Sequence, residues 1–110
     1  MPRTITRTDM RKEIMTNDQL SLVKFKTEWS GTCQIIEPIY NDLANSYKGV
    51  VNFYTLDVEA EKGIEAEYGI MELPTILFFR NGRIVDHAVG LTSRNILITK
   101  IENAISANNN

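Results

Sequence analysis

Residues 22–33 read Leu22-Val23-Lys24-Phe25-Lys26-Thr27-Glu28-Trp29-Ser30-Gly31-Thr32-Cys33, and the stretch changes period partway along. From Leu20 to Lys26 the side chains alternate, with Leu20, Leu22 and Lys24 on one face and Val23 and Phe25 on the other. Apolar residues on both faces are the pattern of a strand covered on each side, inside a sheet rather than at its edge. Trp29-Ser30-Gly31-Thr32-Cys33 breaks the alternation and leads into a helix, where Ile35, Ile36, Ile39, Tyr40, Leu43, Ala44 and Tyr47 recur at helical spacing until Gly49. Pro38 inside that helix donates no hydrogen bond and crowds the carbonyl four residues back, so a kink is expected there.

The same alternation of strand and helix continues outward. Val50 to Val58, rich in Val, Phe, Tyr and Thr, reads as a second strand, and Ala60 to Tyr68 as a short helix ended by Gly69. Thr75 to Phe79 and Arg83 to Val89 flank Asn81-Gly82, a hairpin turn whose two residues both tolerate positive φ. Thr92 or Ser93 opens a last helix carrying Ile96, Leu97, Ile98, Ile101 and Ile105 and closing near Ala107. Upstream, Thr8 or Asp9 is placed to cap a short helix through about Met15. Residues 1–7 read as frayed or as a short edge strand, and residues 108–110 as frayed. The order α-β-α-β-α-β-β-α implies an α/β fold in a single domain over residues 1–110. Its central mixed β-sheet, of about four strands with a short fifth possible at the N-terminus, is flanked by helices on both faces.

Composition narrows the chemistry. The 110 residues suit one domain, and 12 Lys plus Arg against 14 Asp plus Glu give no basic face for nucleic acid. With one cysteine and one histidine, no intramolecular disulfide forms and a Cys/His zinc site lacks ligands, so neither metal nor cofactor is expected. His87 sits late in a strand and reads as structural or surface. The run Asp57, Glu59, Glu61, Glu65, Glu67 and Glu72 reads as a solvated helix face, with a docking surface for a basic partner as the sharper alternative. No apolar run is long enough for a membrane span or a secretory signal, and lone-cysteine usage reads as cytoplasmic.

From about Leu20 to Ile105 the chain resembles the thioredoxin family. The marks, in order, are Leu22-Val23-Lys24-Phe25, then Trp29-Ser30-Gly31-Thr32-Cys33 in the place of Trp-Cys-Gly-x-Cys, then Pro38 five positions after Cys33. Tyr68-Gly69-Ile70-Met71-Glu72-Leu73-Pro74-Thr75, Phe78-Phe79-Arg80-Asn81-Gly82 and Val89-Gly90 follow. The resemblance implies a thioredoxin fold and thiol–disulfide exchange in redox homeostasis. In the family the first cysteine sits at a helix N-terminus, where the dipole favours its thiolate, and the second resolves the mixed disulfide. Here Ser30 holds the attacking position, and a serine oxygen does not exchange with disulfides. Lys24 stands where the family usually buries an aspartate; it either snorkels to water or sits near Cys33 and favours its thiolate.

The resemblance therefore implies a degenerate single-cysteine site. Cys33 is either a thiol that takes up glutathione or pairs with a partner's cysteine, or a small buried hydrophobe. Trp29, Gly31, Thr32, Leu73, Pro74 and Gly90 are the expected groove for a protein or peptide partner. A cis Pro74 sets the backbone of Leu73 opposite the Ser30-Gly31 turn, open to an added strand. Two alternatives stand beside this: a non-catalytic binding module, and an active thioredoxin in which an engineered serine replaces cysteine at position 30.

Overall fold

The computed structural model describes residues 2–107. Its elements are β1 (Arg3–Thr4), α1 (Arg7–Asp9), β2 (Ser21–Lys26), α2 (Gly31–Ser46), β3 (Asn52–Asp57), α3 (Ile64–Glu67), β4 (Thr75–Arg80), β5 (Arg83–Val89) and α4 (Arg94–Ala107). The five strands form one sheet in the order β1-β3-β2-β4-β5. β1 and β2 run parallel to β3, whereas β4 is antiparallel to both β2 and β5. This is the mixed sheet expected, with β2 at its centre.

The central position of β2 follows from its two apolar faces. Leu20 and Leu22 join one core with Ile36, Tyr40 and Leu43 of α2 and Leu97 and Ile101 of α4. Val23 and Phe25 join a second core with Met10, Ile14, Ile64 and Phe79 on the opposite face. α2 continues through Pro38 and closes on Tyr47. In the hairpin, Asn81 and Gly82 both take positive φ, 53° and 76°. Gly82 also admits a close approach, since a Cβ there would stand 2.8 Å from the Met15 carbonyl oxygen.

Two element boundaries differ from the expectation, and the N-terminal segment takes the second of its two readings, a short edge strand: Arg3 and Thr4 pair with Tyr54 and Thr55, and Ile5 is buried. Edge pairing to β3 and one apolar anchor hold the segment. The first helix is capped by Thr6, not Thr8 or Asp9, because Asp9 serves as the third position of a capping box. The Asp9 N–H donates to Thr6 Oγ1 at 3.1 Å, and the Thr6 N–H to the Asp9 carboxylate at 2.9 Å. The helix then widens into a π turn over Met10–Ile14, in which the Met15 N–H donates to the Met10 carbonyl five residues back. Finally, α3 is only Ile64–Glu67, since Gly63 at φ 83° precedes it in a conformation that does not continue a helix. The expectation for residues 108–110 falls outside the described residues. Among the described residues, no helix is long and apolar enough to cross a membrane.

Where α2 ends against α4, the Tyr47 hydroxyl donates to Glu102 at 2.6 Å. Loss of hydration, and then that hydrogen bond, push the Tyr47 pKa up to about 12. A raised folded-state pKa gives stability that is complete below the unfolded value near 10 and is lost as pH rises through the folded one. Urea midpoints between pH 10 and 12 are expected to fall more steeply for the parent protein than for Tyr47→Phe; parallel slopes would remove Tyr47 as the cause.

Candidate functional site

The strand registers bring three separated segments to one end of the sheet. Phe25 pairs with Thr75 across β2 and β4, and Thr75 pairs with Val89 across β4 and β5. The residues that follow Phe25, precede Thr75 and follow Val89 therefore emerge side by side. They are the Glu28–Cys33 turn into α2, the Glu72–Pro74 loop with its cis Leu73–Pro74 bond, and Gly90. The expected site residues are thus assembled by antiparallel pairing, at the carboxyl end of the central strand.

Ser30 is the N-cap of α2. Its Oγ accepts from the Cys33 N–H at 3.4 Å and lies 2.8 Å from Thr32 Oγ1. The Thr32 hydroxyl donates to the Leu73 carbonyl at 3.3 Å, joining the two loops. Trp29 projects into solvent with 87% of its surface exposed, while Gly31 is exposed and Pro74 is buried. Cys33, one turn into α2, is only 2% exposed, yet it lines a cleft of about 400 Å³ together with Lys26, Trp29, Gln34 and Glu37. Its thiol is thus recessed, while Ser30 holds the helix-initiating position three residues before it. Gly90 is buried at φ 73°, and a Cβ there would overlap the Glu72 carboxylate. His87 is exposed on β5 and has no part in this constellation.

Beneath the turn lies a charged group that does not snorkel. Lys24 is completely buried, and its Nζ is 2.9 Å from Glu37 Oε2 and 4.8 Å from the centre of the Tyr40 ring. Tyr40 is itself held by its hydroxyl, which donates to the Tyr54 carbonyl at 2.6 Å, and burial drives its pKa well above the ordinary value. Cys33, Glu37 and Tyr40 follow one another at helical spacing on α2, so the lysine answers the same stripe that carries the thiol. Glu37 escaped the reading of the sequence. The available signal was its place four residues after Cys33, opposite a lysine in a strand that must be buried. An ammonium held away from water needs a partner, and Glu37, with 48% of its side chain exposed, supplies it from the rim.

A five-stranded mixed sheet, a helix beginning two residues after an exposed tryptophan, and a cis-proline loop facing that helix start define the thioredoxin fold. The thioredoxin family model matches residues 2–103. The chain is similar to a thioredoxin of Rickettsia felis, 33% identical over 105 residues, or 96% of this chain and all of that protein. It is also similar to a thioredoxin of Chlorobaculum thiosulfatiphilum, 33% identical over 97 residues, 88% of this chain and 90% of that one. A chloroplastic M-type thioredoxin of Pisum sativum is 37% identical over 84 residues, 76% of this chain and 49% of that protein. The chain belongs to the thioredoxin family.

Breaking the Lys24–Glu37 pair from either side is expected to have unequal effects. Glu37→Ala strands a buried ammonium and should lower stability by about 1–3 kcal/mol. Lys24→Met removes the charge together with its desolvation cost and should stay within about 1 kcal/mol of the parent, or exceed it. Urea unfolding followed by circular dichroism measures both; equal losses would show that the pair stabilises the fold outright.

Proposed function

We propose that this thioredoxin-family protein binds an extended segment of a partner protein in the groove beside Pro74 and does not turn over disulfides. The observation that carries the reading is the exchange of roles at the start of α2. The helix-initiating position is a half-buried serine engaged in capping, and the one thiol is a turn deeper and buried. Within this chain no second cysteine exists to resolve a mixed disulfide. Cys33 therefore reacts at most once. Its thiolate attacks one sulfur of glutathione disulfide or of a partner disulfide, forms a new S–S bond and releases the other half as a thiolate. Trp29 and the Leu73 backbone are the binding groups of this reading, the latter as a template for an added strand. The single cysteine is in keeping with a reducing compartment such as the cytoplasm.

A second reading, an active thioredoxin with an engineered serine, is favoured by the cis-Pro74 loop that meets the start of α2 through the Thr32–Leu73 hydrogen bond. The two separate on one assay. Insulin-disulfide reduction driven by dithiothreitol should show no catalytic acceleration by the protein as it stands. Ser30→Cys should recover only slow turnover, because Lys24 and Glu37 occupy the ground beneath the site where the family usually has an aspartate. Turnover by the unmodified chain would overturn the proposal, and full recovery in Ser30→Cys would favour the second reading.

A further inference from the structure

We infer that this end of the sheet selects a basic segment, an extended peptide whose Lys or Arg residues meet Glu72 beside Gly90 on one side of the cis-proline loop and Glu28 beside the Trp29 ring on the other. The inference rests on the binding reading above and adds the chemistry of the partner.

Glu72 carries the first part. Its backbone is pinned by the Thr75 hydroxyl, which donates to the Glu72 carbonyl at 2.6 Å. Its carboxylate lies against the Cα of Gly90, in a space that exists only because position 90 has no side chain. That carboxylate forms no ion pair among the described residues, and Glu72 is exposed. A neutral apolar segment laid over it would strip water from an unpaired charge, which costs free energy; a cation would replace the lost water.

The radial order of charge carries the second part. At this end of the sheet the cations lie inside, Lys24 with none of its side chain exposed and Lys26 with 18%. Their carboxylate partners stand outside, Glu37 at 48% and Glu28 at 76%. Lys26 reaches Glu28 only at 3.7 Å, so Glu28 is loosely held. A partner approaching from solvent therefore meets carboxylates first, around an indole whose open face attracts ammonium and guanidinium groups. The Leu73 N–H has no acceptor among the described residues, which leaves a donor for the backbone of the arriving strand.

Trp29 is the only tryptophan, so its fluorescence reports occupancy of the groove. Three blocked decapeptides on one alternating Thr/Ser/Val frame, bearing two central Lys, Gln or Glu residues, serve as probes. At low salt the Lys peptide is expected to bind about three- to tenfold more tightly than the Gln peptide, with the Glu peptide weakest. The preference should shrink at high salt. Glu72→Gln, checked for folding by circular dichroism, should bring the Lys peptide toward the Gln peptide and leave the latter unchanged. Equal binding of the Lys and Gln peptides, or a Lys preference that Glu72→Gln leaves intact, would overturn the charge inference while sparing the groove. No response of Trp29, and no Leu73 amide shift by NMR, with any of the three would remove the groove reading and this inference with it.

Discussion

β2 is paired along its whole length to the parallel β3 and from Ser21 to Phe25 to the antiparallel β4, and over Ser21–Phe25 it is buried on both faces. Every part of the site depends on that constraint. The antiparallel pairing sets the end of β2 beside the beginning of β4 and, one strand further, beside the end of β5. Residues separated by about forty and sixty positions in the chain thereby become neighbours. Cores on either side of the sheet pack against this row, and the Trp29–Cys33 turn and the Leu73–Pro74 loop face each other, joined by the Thr32–Leu73 hydrogen bond.

Within that frame, one charge has consequences out of proportion to its size. A lysine at the middle of a doubly covered strand cannot reach water, and the structure meets its need with Glu37 and the face of Tyr40. The carboxylate is thereby drawn to the rim of the cleft that Cys33 lines. Above it, Ser30 caps the helix with a neutral oxygen rather than presenting a thiolate to the dipole. The result is a cleft whose one sulfur is recessed and whose solvent-facing charged groups, Glu37 and Glu28, are carboxylates.

Much of this was legible in the sequence, because it rests on local signals. The two-faced alternation around Leu22–Phe25, the helical spacing from Ile36 to Leu43 and Asn81-Gly82 each specify their element without outside help. The hairpin and the buried strand then imply which loops converge, so the candidate residues from Trp29 to Gly90 lie at one end of the sheet. Most of what escaped depended on pairings across space. Ile5 is buried only because β1 docks on β3, whereas the Thr6–Asp9 capping box is a local signal, in competition with Thr8 and Asp9 as caps in their own right. Glu37 meets Lys24 only once α2 packs across β2, and Glu72 reaches Gly90 only through the β4–β5 register. Each is a contact that no periodicity announces.

The recessed thiol is the centre of the account, and its reactivity in the folded state is the most direct probe of it. Intact-mass analysis after exposure to glutathione disulfide, on folded protein and on a denatured control, measures the rate at which Cys33 gains a single glutathione. The expected result is one adduct at most, formed on folded protein more slowly than on the unfolded chain. A folded-state rate equal to or faster than the unfolded one would contradict the account. It would show an accessible, activated thiol at the position held here to be buried.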